Sequence, residues 1–205
     1  MASETAIVAL PPEDHATEYG ARLASVGRPL PGVELRILDP AGQPLPAGEI
    51  GEIATRSPAN MTGYYNLPKA TAETIDGEGW LHTGDAGYLD ADGYLFLKDR
   101  IKDLIISGGE NVYPAEVENA IYGHPDVAEV AVIGVPDAKW GESVKAIVVA
   151  RPGTNPEAAG IIAWTRTRIA AYKTPKSVEF VAALPRNASG KILRRELRER
   201  FSKPE

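Results

Sequence analysis

Residues 80–118 read WLHTGDAGYLDADGYLFLKDRIKDLIISGGENVYPAEVE, and the fold turns on how this stretch divides. Asp90-Ala91-Asp92-Gly93 is a turn signal between two apolar-alternating stretches, GYL and YLFL, which predicts a β-hairpin. At residue 99 the character changes. A charged cluster, DRIKD, leads into the apolar run Leu104-Ile105-Ile106 and then a Gly108-Gly109 turn. Pro114 and Glu116 carry helix-start signals and Gly-His-Pro a stop, so 113–125 reads as a helix.

Working upstream, VELRILD (33–39) and GEIGEIATR (48–56) alternate well enough for strands, with GYLFLK (93–98) a third. The chain holds 17 prolines and 20 glycines, many of them in RPLPG, DPAGQPLPAGE and DGEG. Turns that frequent favour short β-structure over long helices. Downstream, VAEVAVIGV (127–135), ESVKAIVVA (142–150) and SVEFVAALP (177–185) are predicted core strands. A helix is expected over 155–172, capped by Asn155 with Pro156 in its first turn. A last helix, 189–201, is expected to start at Ser189 and to present Leu193, Leu197 and Phe201 as one stripe. The second half then alternates β-α-β-β-α-β-α. Charge divides in the same place: residues 1–98 carry 6 basic and 14 acidic side chains, residues 99–205 carry 16 and 14. The expected fold class is α+β, a small β-rich subdomain followed by a separate α/β domain with a three-stranded sheet and helices.

Composition excludes several classes of function. Of 205 residues 43% are hydrophobic and 24% charged, the make-up of an ordinary folded chain. The formal net charge of −6 argues against a generic nucleic-acid binder, whose phosphate affinity needs clustered Lys and Arg. With no cysteine there is no disulfide scaffold, thiolate metal site or cysteine nucleophile. His15, His82 and His124 are scattered without ligand-like spacing. No run approaches the roughly 18 apolar residues of a membrane span. The opening MASETAIVALPPEDH lacks a basic leader, so a cytoplasmic location is expected.

Four segments carry candidate chemistry, each with a plainer reading beside it. The carboxylate of Asp85, in Thr83-Gly84-Asp85, can accept hydrogen bonds from both hydroxyls of a ribose, or it closes a turn on its own backbone. Arg100 can offer a planar fork to ribose or phosphate oxygens, or it belongs to a surface charge cluster. Gly108 and Gly109 let backbone approach a ligand closely, or simply turn the chain. Lys191 is expected one or two residues into the last helix, where a mobile cation can bridge a carboxylate and a phosphoryl oxygen; the arginines around it favour a merely solvated lysine. Trp140, between two core strands, lines a ligand channel or caps a core edge. Asn187-Ala188-Ser189 matches a glycosylation sequon, which means little without a secretory signal.

In order and spacing these segments resemble the C-terminal third of the adenylate-forming superfamily: acyl-CoA synthetases, peptide-synthetase adenylation domains and firefly luciferase. The matching pieces are VGRPLPGVELRILD (26–39), GEIGEIATRSP (48–58), MTGYYNLPKAT (61–71), the 80–118 stretch, YKTPK (172–176) and PRNASGK (185–191). The wording ISGGENVYPAEVE and PDAKWGE is most similar to acyl-CoA synthetases. The resemblance implies domains at 1–101, the end of a larger N-terminal domain, and 102–205, a mobile C-terminal domain. It implies that Asp85 and Arg100 hold the ribose of ATP or of an acyl-adenylate, and that Lys102 is the hinge. The resemblance further implies that Lys191 contacts the carboxylate, ribose and α-phosphate during adenylation, and that Gly108, Gly109 and Trp140 border the channel for the pantetheine thiol. Ser3-Glu4-Thr5 looks like the end of a family segment in which the glutamate, here Glu4, helps to hold magnesium. ATP, magnesium, coenzyme A and a carboxylic acid are the implied partners.

The phosphate-gripping Ser/Thr/Gly-rich loop and the acyl pocket have no counterpart in this sequence. The chain is therefore expected to be part of a longer enzyme and inactive in adenylation without the missing N-terminal portion. An isolated piece would expose surface that its parent buries, so a dimer is one expected form. Two other readings stay open: a stand-alone non-catalytic interaction module, and an adenylating enzyme that loads a carrier-protein pantetheine.

Overall fold

The computed structural model describes residue 5, residues 7–15 and residues 17–202, with the backbone alone at 17–19 and 21. The chain divides into two compact units, Met1–Lys102 and Asp103–Glu205.

The first unit is antiparallel. Strands β1 (Val8–Ala9) and β2 (Arg28–Pro29) form a short pair. A four-stranded sheet runs in sequence order through β3 (Glu34–Leu38), β4 (Gly51–Arg56), β5 (Leu81–Leu89) and β6 (Leu95–Arg100). Helix α1 (Pro68–Thr74), which the sequence reading did not pick out, lies between β4 and β5. Ile7, Ile37, Ile53 and Leu95 make the core. The β5–β6 hairpin closes where the turn signal sits. Asp90 Oδ1 accepts the N–H groups of Asp92 (3.0 Å) and Tyr94 (2.8 Å), so the side chain replaces backbone partners in the turn.

The second unit opens with a hairpin, β7 (Ile105–Ser107) and β8 (Glu110–Val112), turned by Gly108 and Gly109 at φ +62° and +85°. Two successive positive φ values are what a two-residue hairpin turn requires, and glycine adopts them without a Cβ penalty. Helix α2 (Pro114–Tyr122) follows, then the long pair β9 (Val127–Asp137) and β10 (Gly141–Ala150), helix α3 (Ala158–Arg166), strand β11 (Ser177–Phe180) and helix α4 (Arg194–Phe201). The three expected strands are present as β9, β10 and β11, with β11 parallel to β10. The β7–β8 hairpin joins β10 through Gly141 and Ser107, so the sheet has five strands.

Both faces of this sheet are covered, which is why β9 and β10 read as nearly unbroken apolar runs. Val130, Val132, Val144, Ala146 and Val148 pack with Val117 and Ile121 of α2 and Ile161 of α3. Ala131, Ile133, Val135 and Ile147 face the other way, onto Leu197 of α4, with Phe201 and Ile192 alongside. The alternation of odd and even positions is the strand period of two.

Three expectations need correction. The helix over 155–172 is shorter, Ala158–Arg166, and its first residue follows Glu157, with no side-chain cap from Asn155. The backbone is still extended at Glu157, φ −93°, ψ 146°, so the first helical turn opens at Ala158. The last helix begins at Arg194, not Ser189. Residues 187–191 instead form a closed loop around the Asn187 side chain, with Gly190 at φ +82°. Strand β11 ends at Phe180, short of the expected 185.

Candidate functional site

Asp85 sits where β5 departs from regular pairing. Glu52 of β4 pairs with Ala86 and Ala54 pairs with His82, so Ile53 alone faces Thr83, Gly84 and Asp85. The two surplus residues arch out of the ladder, and Gly84 takes φ +67° to let them. Thr83 closes the arch from inside: its Oγ1 donates to the carbonyl of Ile53 at 2.8 Å and accepts the N–H of Asp85 at 3.1 Å. The expected tight turn is thus a bulge inside a strand.

On the other side of β5, Asp85 is in register with Arg100 of β6. Arg100 Nε lies 2.8 Å from Asp85 Oδ1, and its Nη1 reaches the Thr83 carbonyl at 3.5 Å. Asp85 is buried while Arg100 is about one-third exposed, so the pair presents one working edge. That edge borders an open depression of about 220 Å³ lined by Asp85, Leu97, Lys98, Asp99 and Arg100. One Asp85 oxygen is engaged by guanidinium, and a carboxylate has further lone pairs for hydroxyl donors.

Lys102 lies exposed in a single 3-10 turn, Ile101–Asp103, at the last position of the first unit. The next residue, Asp103, is buried and anchored. Its Oδ1 accepts from Arg198 Nη2 at 2.7 Å, and its Oδ2 lies 3.7 Å from Arg194 Nη1. Arg194 also grips Glu118 of α2 through both carboxylate oxygens, at 2.7 and 2.8 Å. The residue after Lys102 is therefore tied directly to α4, the helix that follows the Lys191 loop.

In that loop, Asn187 Oδ1 accepts the N–H of Ser189 (3.1 Å), the Ser189 hydroxyl (2.8 Å) and the N–H of Lys191 (2.9 Å). The Asn187 N–H donates to the Lys191 carbonyl at 2.9 Å, and Arg186 donates to the Gly190 carbonyl at 2.7 Å. The backbone under Lys191 is thereby held while its side chain is exposed, with no ion pair among the described residues. In the sequence Asn187 carries only the sequon pattern. Its role as the loop's organiser follows from Asn–x–Ser–Gly, a pattern that favours side-chain-to-backbone bonds.

Gly108 and Trp140 meet closely. The N–H of Gly108 donates to the Trp140 carbonyl at 2.8 Å, and a Cβ at Gly108 would stand 2.6 Å from the indole Cε3. A Cβ at Gly109 would meet open space. Glu142 adds a further tie, its Oε2 accepting the Ile106 N–H at 2.9 Å. Trp140 is partly exposed, with Lys139 Nζ 4.6 Å over its ring. Asp137 Oδ1 accepts the N–H groups of Trp140 and Lys139, both at 2.9 Å. The Trp140 and Lys139 N–H groups hold the Asp137 carboxyl below the usual carboxylate range, against burial, with Ser143 helping. A carboxylate stabilised in this way supports the loop above its ordinary pKa of about 3.9 and releases it as pH falls through the lowered value. The Trp140 and Lys139 amide resonances are expected to stay constant from neutral pH to about pH 4 and to move only below it. A midpoint at or above the ordinary value would contradict this.

The structure thus brings Asp85 and Arg100 together in the first unit and Gly108, Gly109 and Trp140 together in the second, with Lys191 on its own loop there. Glu4 lies outside the described residues. Among the described residues no group of three or more His, Cys, Asp or Glu could hold a metal ion. No helix of the described residues is long and apolar enough to cross a membrane.

An antiparallel unit ending in an Asp–Arg pair, followed by an α/β unit with an organised lysine loop, matches the closing portion of enzymes that bind AMP. The model of the AMP-binding enzyme family matches residues 2–65 and that of the AMP-binding enzyme C-terminal domain matches residues 116–191; the chain belongs to this family. It is 51% identical over 194 residues to the fatty acid–[acyl-carrier-protein] ligase ScoC of Streptomyces coeruleorubidus, covering 95% of this chain and 37% of that protein. It is 52% identical over 180 residues to a feruloyl-CoA synthase of an Amycolatopsis species, covering 88% and 36%. Among solved structures, the o-succinylbenzoate CoA synthetase of Bacillus subtilis in complex with its acyl-adenylate matches with a TM-score of 0.84 at 43% identity, covering 93% of this chain and 38% of that one. The chain spans a little over a third of the length of these relatives.

Proposed function

We propose that this chain works as the C-terminal part of an ATP-dependent acid–thiol ligase, an AMP-forming acyl-CoA synthetase acting in the cytoplasm. The observation that carries the reading is the Asp85–Arg100 pair, a buried carboxylate held at 2.8 Å by a guanidinium on the rim of an open depression. Asp85 accepts the ribose hydroxyls and Arg100 steadies both carboxylate and sugar. In the first half-reaction an oxygen of the substrate carboxylate attacks the α-phosphorus of ATP, the bond to the bridging oxygen breaks, and pyrophosphate leaves. Lys191 offsets the negative charge that builds on the α-phosphoryl oxygens. In the second, a thiol sulfur attacks the acyl carbon and AMP leaves on its phosphate oxygen. The Gly108–Gly109 turn and Trp140 flank the thiol's approach.

Bond rotation at Lys102 would exchange Lys191 for the Gly108–Gly109 turn between the two steps. Anchoring of Asp103 to Arg198 and Arg194 supports this reading, because rotation at residue 102 would carry α4 with it. Glu4 would help to hold magnesium, whose charge would offset that of the ATP phosphates.

The test is acid-dependent ATP–pyrophosphate exchange by the full-length enzyme against a panel of aliphatic and aromatic carboxylic acids. Exchange is expected with at least one acid, followed by AMP release on adding a thiol. The 205-residue chain alone is expected to show none, since the phosphate grip and acyl pocket would come from the rest of the enzyme. Robust exchange by the isolated chain, or none by a folded full-length enzyme, would overturn the proposal. A carrier-protein pantetheine as acceptor is the second reading, favoured by the name of the Streptomyces relative. Offering free coenzyme A and a pantetheinylated carrier protein side by side separates the two.

A further inference from the structure

The arch that presents Asp85 is held from outside by residues the proposed reaction does not use. Gly84, at the top of the arch, donates its N–H to Glu52 Oε1 at 3.1 Å. The other oxygen of the same carboxylate lies 3.0 Å from His82 Nδ1, the residue just before the arch. His82 Nε2 is in turn 3.6 Å from Asp76 Oδ2. Asp76 is itself locked, its Oδ1 accepting the N–H groups of Glu78 and Trp80, both at 2.9 Å. Burial disfavours the Asp76 charge, yet these two N–H groups and His82 hold its carboxyl below the usual range. A relay therefore runs from the Asp76 turn through the imidazole and the Glu52 carboxylate to the peptide N–H adjoining Asp85.

Its geometry answers a specific problem. Two surplus residues in a strand leave the arch without ladder partners, and Gly84 gives it conformational freedom. Thr83 ties down the inner side through Ile53, and nothing in the ladder ties down Gly84. Glu52, at the β4 position paired with Ala86, has one oxygen for Gly84 and one for His82, so it clamps the arch to its own stem. A carboxylate accepting both a peptide N–H and an imidazole N–H makes stronger hydrogen bonds than a neutral acceptor.

We infer that Glu52, oriented by His82, is a positioning residue for nucleotide binding: it sets the peptide that aims Asp85 at the ribose. This rests on the reading of Asp85 given above. Glu52→Ala in the full-length enzyme is expected to raise KM for ATP roughly tenfold, the loss of one charge-assisted hydrogen bond, with KM for the acid within about twofold. Glu52→Gln keeps an oxygen for the Gly84 N–H and is expected to recover most of that loss. In the 205-residue chain, Glu52→Ala is expected to speed hydrogen exchange at the Gly84 amide and shift the Arg100 Nε–H resonance, with the Trp164 indole resonance unmoved. Asp85→Asn is the reference. If it weakens ATP and Glu52→Ala does not, the positioning role is overturned and the reading of Asp85 stands. If Asp85→Asn leaves ATP affinity unchanged, both fall. A lower melting temperature with KM for ATP unmoved would reduce Glu52 to a structural residue and overturn the inference.

Discussion

Replacing Lys191 by Ala in the full-length enzyme is expected to slow acyl-adenylate formation on the order of 10²–10³-fold, about 2.7–4 kcal/mol of lost stabilisation at the α-phosphate. Supplied with pre-formed acyl-adenylate, the same variant is expected to transfer the acyl group to a thiol at close to the normal rate. Stability is expected to be unaffected, because the Lys191 side chain is exposed and the loop is held by Asn187 through the Lys191 backbone. Rapid-quench measurement of each half-reaction checks the split. Equal loss in both would place Lys191 outside the adenylation step, and no loss in either would return it to the solvated surface.

The reverse split is expected at Gly108. A Cβ there would stand 2.6 Å from the Trp140 ring, and φ of +62° disfavours any L side chain by about 1–2 kcal/mol. Gly108→Val is expected to reduce thioester formation at least about tenfold while adenylation stays within about threefold. Gly109→Ala provides the comparison. It shares the positive φ but meets no atom within 4 Å, so it tests backbone strain without the collision. If both variants lose thioester formation equally, strain in the turn and not the Trp140 contact is responsible. If Gly108→Val impairs adenylation alone, the turn does not border the thiol's path.

Much of the architecture was legible residue by residue. The Asp90–Gly93 turn, the helix opened by Pro114 and the apolar runs of β9 and β10 carry local signals that packing then reinforced. The helix starts at Asn155 and Ser189 were misplaced because capping residues act only where the backbone beyond them can turn helical. The chain is still extended at Glu157, two residues past Asn155, and the Asn187 loop holds the backbone at Ser189. The site was legible in the same uneven way. Asp85, Arg100, Gly108, Trp140 and Lys191 stood out as residue types in suggestive positions, whereas Glu52 and His82 did not. Glu52 looked like one more polar residue in an alternating strand, and His82 like an isolated histidine without spacing to a ligand partner.

By itself the chain's order of residues determined most strands and turns, which depend on neighbours a few positions away. Through the sequence of its motifs and the balance of charge along it, it also determined which family the whole resembles. Only folding decided that Ile53 would face three residues of β5, that Arg100 would come into register with Asp85, and that Glu52 would reach across 32 positions to Gly84. Strand register is set by the burial of whole faces and by bulges that relieve mismatch, quantities that belong to the assembled sheet and to no single stretch of it.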